Sequence, residues 1–171
     1  KIYERAEAVQ FCSATLSRKT MEADPANILF CPYVIVIYTL PADPGTEIKA
    51  ISLMSFFGSG IHPHLTPNAR PENYCDLPGS VESVKRVGNK LLFEDFAVVE
   101  NLLAGREWFF DHFTAPDAYF FWCFRRAVSF KLDLTPFKNC MAHLERMQSR
   151  ASVQKLIAHE KRVMEAFATA A

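Results

Sequence analysis

The sequence predicts a mainly α-helical fold: a bundle of about five helices preceded by a short N-terminal piece of less regular pattern. Three observations lead there. A Thr-x-x-Asp capping box stands directly ahead of an apolar run, Phe113-Thr-Ala-Pro-Asp-Ala-Tyr-Phe-Phe-Trp-Cys-Phe-Arg-Arg126. Amphipathic stretches of helical period follow one another from residue 80 onward. The clearest linker, Leu40-Pro41-Ala42-Asp43-Pro44-Gly45, marks a shift in pattern, after which everything reads as helix.

The capping box predicts a central helix. The Thr114 hydroxyl accepts from the Asp117 backbone N–H while the Asp117 carboxylate reaches back to the Thr114 N–H. Phe113 and Ala118 occupy the two positions of a hydrophobic staple, and Pro116 is tolerated in the first turn, where its missing N–H has no partner anyway. Ala118 to Phe124 is apolar on every side, the mark of a helix surrounded by others. A capping box by itself shows only where a helix starts.

Composition bounds the rest. The chain has 171 residues, enough for one domain with a sizeable core; it is 50% hydrophobic and 13% aromatic, with 15 Phe. Nineteen basic and nineteen acidic residues give a formal net charge of +0, which argues against nucleic acid or an anionic membrane surface as a general partner. The five cysteines, Cys12, Cys31, Cys75, Cys123 and Cys140, form no C-x-x-C pair. They read as reduced, mostly buried thiols of a cytoplasmic protein, with no zinc or other metal site. The longest apolar run, Val34 to Leu40, is too short to span a bilayer, and there is no signal-peptide pattern at Lys1. A start at Lys1 rather than Met reads as a fragment or a processed form.

In chain order, Lys1 to Lys19 allows a short helix, and Asp24-Pro25 marks a turn. Ile28 to Leu40 is a strand by propensity, but Pro32 divides it; a strand ending near Cys31 with a helix from Pro32 stays open beside it. Thr46 is a cap candidate for the next helix, which should end near His62-Pro63. Leu65 to Gly79, with three prolines, reads as a long loop. Ser80 starts the longest helix, with Val84, Gly88, Leu92, Phe96, Val99 and Leu103 on one stripe and Gly105 as a left-handed terminus. After the central helix, Thr135-Pro136 starts another, with Phe137, Cys140, Met141, Leu144 and Met147 on its apolar face. A last helix carries Val153, Leu156, Ile157, Val163, Met164 and Phe167. His143 and His159 read as surface residues on these helices.

Leu102-Leu103-Ala104-Gly105-Arg106-Glu107-Trp108-Phe109, then Phe113-Thr114-Ala115-Pro116-Asp117-Ala118-Tyr119, resembles the C-terminal helical domain of bacterial-type cytosolic glutathione S-transferases. Leu132-Asp133-Leu134, Phe137, Asn139, Ala142-His143, Glu145-Arg146 and Ala151-Ser152-Val153-Gln154 continue the likeness in register, with Ser152 where the family often has Pro. Leu40 to Pro44 is similar to the family's interdomain linker, and Ser55 to Pro63 to the helix that follows it.

The resemblance implies residues 1–40 as a partial or degenerate thioredoxin-like remnant and 41–171 as the glutathione-transferase helical domain. The activity it implies is conjugation of glutathione to a small electrophile, or thiol reduction, with glutathione as co-substrate, no metal, and a possible homodimer. No Val-Pro and no Glu-Ser or Gln-Ser pair precedes Leu40, so the activity is expected to be impaired and retention on glutathione resin absent. Whether the protein is an enzyme stays open; the alternative is a non-catalytic interaction module of the same fold.

The resemblance leaves two placements for Ile28 to Leu40. The favoured one makes it the last strand and helix of the remnant; the other makes Cys31-Pro32-Tyr33 the active site of a thiol-type member. Cys31 is thus one catalytic candidate, since a helix N-terminus would favour its thiolate, against the plainer reading of a buried thiol. His62 is the other: it matches by position a histidine facing the glutathione site, and a neutral imidazole can position or deprotonate a thiol. Arg126 and Trp122 are substrate-binding candidates, Arg126 as a planar fork of donors for a carboxylate, against a solvated helix-end cation and a core ring. Thr114 and Asp117 are structural.

Overall fold

The computed structural model describes residues 5–11, 33–39 and 44–170, which divide into two units, one of them Pro44–Met147. The regular elements of that unit are all helices, and it contains every site candidate except Cys31, which lies outside the described residues together with the linker positions 40–43.

Helix α1 (Pro44–Phe56) begins three residues earlier than the Glu47 start that a Thr46 cap would give. It runs without a break through a π-helical turn, Phe57–Ile61, into α2 (His62–Ala69), with α-helical dihedrals at Phe56, Ile61 and His62. The sequence reading ended this helix at His62-Pro63; the structure carries it seven residues past His62. A proline inside a helix removes one N–H and drives its ring at the carbonyl four residues back. The wider turn just ahead of Pro63 relieves that crowding, and the His62 N–H reaches the Phe57 carbonyl five residues back. Pro67 repeats the problem at Pro63, whose carbonyl accepts instead from the Tyr74 hydroxyl at 3.1 Å. The first third of the expected 65–79 loop, residues 65–69, is therefore α-helix.

Helix α3 (Val81–Leu102) follows Ser80 and buries Gly88, Leu92, Phe96 and Val99, with Leu103 buried just beyond its end. Gly105 adopts the left-handed geometry expected of it, φ 69°. The α2–α3 crossing is set by Gly88, where an added Cβ would stand 2.5 Å from the Pro67 ring. Two polar bonds flank the crossing, His64 Nδ1 with Asp95 Oδ2 at 2.6 Å and Asn68 Nδ2 to Asn89 Oδ1 at 2.6 Å.

Helix α4 (Ala115–Ser129) carries the capping box, with both arms formed. It is not apolar-buried all round, contrary to the sequence reading: Phe120, Phe121, Cys123, Phe124 and Ala127 are buried, while Ala118 is exposed and Tyr119, Trp122, Arg125 and Arg126 are half-buried. Phe113 stands edge-on to Trp108. The core is an aromatic stack in which Phe120 meets Phe57, Phe96, Phe109 and Phe124 at centroid distances of 5.5–6.2 Å.

Helix α5 (Lys138–Ser149) starts three residues after Thr135, later than expected, because Asp133 holds Thr135 in a turn through its N–H and hydroxyl. Its first turn is capped from another helix: Glu100 of α3 accepts from the N–H groups of Asn139 (2.8 Å) and Cys140 (3.0 Å). A carboxylate there satisfies two orphan donors and faces the positive end of the helix dipole.

The second unit contains two strands and the last helix, α6 (Ala151–Ala170). Strands β1 (Arg5–Phe11) and β2 (Tyr33–Thr39) pair antiparallel, Arg5 opposite Thr39 and Phe11 opposite Tyr33. Two expectations change here. Arg5–Phe11 is strand where a short helix was allowed, and Tyr33–Thr39 is strand rather than the helix running into the linker. The β-branched run Val34-Ile35-Val36-Ile37 follows its propensity and gives Arg5–Phe11 a pairing partner.

Candidate functional site

The π-helical turn delivers His62 to α4. The His62 Nδ1 lies 2.9 Å from the Tyr119 hydroxyl, and its ring packs at 4.6 Å from the Trp122 ring, inclined by 51°. Tyr119 in turn stands edge-on to Phe57 and 6.4 Å from Trp122. Tyr119, Trp122 and Arg126 fall at i, i+3 and i+7, one face of α4. This half-buried face meets the π-turn and the start of α2, and the arrangement is the candidate site.

Burial lowers the pKa of His62, so the ring is neutral at neutral pH. Burial raises that of Tyr119, reinforced by the neighbouring Cys123, so the phenol keeps its proton. Cys123 and Cys140 are raised mainly by burial and stay thiols. A neutral imidazole is a donor at one ring nitrogen and an acceptor at the other, which is which depending on the tautomer. Trp122 is therefore not a plain core ring; it is a wall of the His62 environment. Arg126 sits over the Phe130 ring at 5.0 Å, near the end of the same face. Among the described residues, no group of three or more His, Cys, Asp or Glu side chains is placed to hold a metal ion, and no helix is long and apolar enough to cross a membrane.

Thr114 and Asp117 are structural, and more deeply so than a helix start requires. Asp117 is wholly buried and accepts from the Thr114 N–H (2.8 Å), the Thr114 hydroxyl (2.8 Å) and the Phe109 N–H (3.1 Å). Its fourth contact is His143 Nε2 at 3.1 Å. His143, expected at the surface, is 1% exposed and packed among Trp108, Phe109 and Phe120. Its position on the buried stripe of α5, three residues after Cys140 and four before Met147, is the signal that could have found it. Tyr119 was missed as a site residue because it sits inside an apolar run; its i+3 spacing to Trp122 was the available hint.

No family model matches the sequence, and no curated protein matches it in a sequence search. Solved structures do match, and they define the class: the fold is that of bacterial glutathione S-transferases. One neighbour is BphK, a bacterial glutathione transferase solved as a ternary complex, with a TM-score of 0.61 at 18% identity, covering 88% of this chain and 68% of that one. A glutathione transferase from Methylococcus capsulatus strain Bath gives 0.62 at 22% identity, over 86% of this chain and 66% of that one. A sphingomonad glutathione S-transferase complexed with glutathione gives 0.61 at 17% identity, over 90% and 73%. The chain thus spans about two thirds of the length of the first two neighbours.

Proposed function

We propose that the helical unit is the helical half of a glutathione-transferase-type site, in which His62 meets the thiol of glutathione and the Tyr119–Trp122–Arg126 face of α4 meets a small electrophile. The observation that carries the reading is the meeting of His62 with Tyr119 and Trp122 on a fold shared with a transferase that holds glutathione. A neutral imidazole can orient a thiol or take its proton, Trp122 offers an aromatic wall, and Arg126 offers a planar fork to a carboxylate. Cys31 remains a second catalytic candidate on its sequence context alone, and the 1–40 segment a thioredoxin-like remnant. The 171-residue chain by itself is expected to conjugate poorly, because no Val-Pro and no Glu-Ser or Gln-Ser pair precedes Leu40.

The test is a titration with an aromatic glutathione conjugate, read by tryptophan fluorescence and by thermal shift. We expect binding in the ~millimolar range, too weak for column retention, and its loss in His62→Ala. Turnover of a chloro-nitro-aromatic substrate should stay far below ordinary enzyme rates, on the order of 10 per second. A chain that shows neither a fluorescence change nor a thermal shift overturns the reading. The remaining one is then an interaction module, favoured by the exposed Ile48 and Ile51 of α1 and Val87, Leu91, Val98 and Leu102 of α3.

A further inference from the structure

We propose that Gly58 is a specificity-determining residue of the candidate site: its bare Cα keeps the outer end of the Tyr119 ring open, so that a planar aryl group of the electrophile can lie there. The substrate half of this statement rests on the function proposed above; access to Tyr119 stands on geometry alone. A glycine inside a helix weakens it, because it gives up more freedom on folding than any other residue. A close neighbour can demand one all the same. An added Cβ at Gly88 would meet the Pro67 ring at 2.5 Å, and one at Gly60 would meet the Phe56 ring at 3.4 Å. Gly58, in the middle of the same π-helical turn as Gly60, has no such neighbour. Its backbone is not left-handed, and it is exposed. Among the described residues an added Cβ would approach Tyr119 alone, its oxygen at 3.6 Å and Cε1 at 3.8 Å, both ordinary van der Waals distances. Packing therefore permits a side chain at position 58, and that side chain would cover Tyr119.

The atoms it would cover belong to the site. The Tyr119 oxygen is the one 2.9 Å from His62 Nδ1, and its ring lies 6.4 Å from that of Trp122, inclined by 40°. The fully buried Phe57 closes the inner side of the Tyr119 ring, edge-on at 6.2 Å. Gly58, the next residue, stands at the other end, beside Cε1 and the hydroxyl. The adjoining Ser59 hydroxyl is turned back onto the Ser55 carbonyl at 2.7 Å. What borders the approach is thus glycine backbone on one side and aromatic ring on the other. Such a surface suits a flat aryl group, which can meet the phenol ring edge to face or offset. A leucine at 58 would fill the same place.

The experiment compares the full chain with Gly58→Ala and Gly58→Leu in three measurements. Both variants should melt at or above the wild-type temperature, since both residues are better helix formers than glycine. Hydroxyl-radical footprinting, read by peptide mapping against the exposed Tyr74, should show Tyr119 oxidation reduced in Gly58→Ala and several-fold lower in Gly58→Leu. Titration should show S-benzylglutathione bound about tenfold more weakly by Gly58→Leu, with S-methylglutathione unchanged. A lowered melting temperature in Gly58→Ala overturns the proposal, because packing would then require the glycine. So do unaltered Tyr119 oxidation in Gly58→Leu, wild-type affinity for S-benzylglutathione in that variant, or an equal loss of both conjugates. If Gly58→Leu does not fold, Gly58→Ala decides by the same readouts. A wild type that binds neither conjugate defeats the function above and with it the aryl assignment; the footprint, which needs no ligand, then decides access to Tyr119.

Discussion

Asp117 and the cysteines show how far burial changes what a residue type does. Asp117 began as half of a capping box, a feature whose loss typically costs about 1 kcal/mol. In the structure its carboxylate gathers four contacts in a fully dry place, from the cap, the preceding loop and α5. Asp117→Ala should therefore lower stability by about 3 kcal/mol, since buried donors are left without an acceptor; chemical denaturation reads it, and a loss under about 1 kcal/mol would show the network is not formed. The cysteines diverge in the same way. Cys123 and Cys140 are buried and their thiols raised, whereas the Leu77 backbone and the Ser80 hydroxyl lower that of the half-buried Cys75 thiol. Among these three, Cys75 should be alkylated first by iodoacetamide in the native state, as read by peptide mapping. Equal labelling of all three would contradict the burial. The capping box was legible because its two partners are three residues apart. The burial of His143 could be read from its stripe on α5, but its bond to Asp117 could not, since only the fold brings the two together across 26 residues.

At the scale of elements, the α1–α2 segment departs most from local rules. Pro63 and Pro67 both argue for loop, and Gly58, Gly60 and Gly88 all weaken helices by propensity. The segment is helical because each of its two prolines is met by a particular accommodation. The π-turn makes room ahead of Pro63, Tyr74 takes the carbonyl freed by Pro67, and Gly88 lets the Pro67 ring lie against α3. Gly88→Ala should test this cleanly. On an isolated helix the change stabilises by roughly 1 kcal/mol. Here the new Cβ meets a stiff proline ring at 2.5 Å, so a net loss of about 2 kcal/mol is expected. A raised melting temperature would mean that the crossing is looser than described. The remaining helices were readable because their buried stripes are periodic: Leu92, Phe96 and Val99 in α3, and Cys140, Leu144 and Met147 in α5. Their first turns were less so, because α5 is capped by Glu100 of α3, a partner that no local pattern announces.

For the molecule as a whole, a buried neutral histidine links the site to stability. His62 has a folded pKa below its ordinary value of 6.5, so the unfolded chain binds the extra proton first. The contribution of the neutral ring is complete above about pH 6.5 and is lost as pH falls through the lowered folded value. Urea midpoints between pH 7.5 and 5 should fall less steeply in His62→Gln than in the wild type; parallel curves would place His62 in water. By itself the sequence determined the helical class, the order of the helices, the cap of α4 and the resemblance to glutathione transferases, because all of these rest on spacings within about twenty residues. It also named His62, Trp122 and Arg126, though as separate candidates with unrelated roles. Tertiary structure alone decided that the chain passes Pro63 as helix and that Arg5–Phe11 pairs with Tyr33–Thr39. Packing between distant segments also buried His143 against Asp117 and joined Tyr119 to the ring of His62 across 57 residues. Those outcomes depend on which surfaces meet, and no local pattern carries that information.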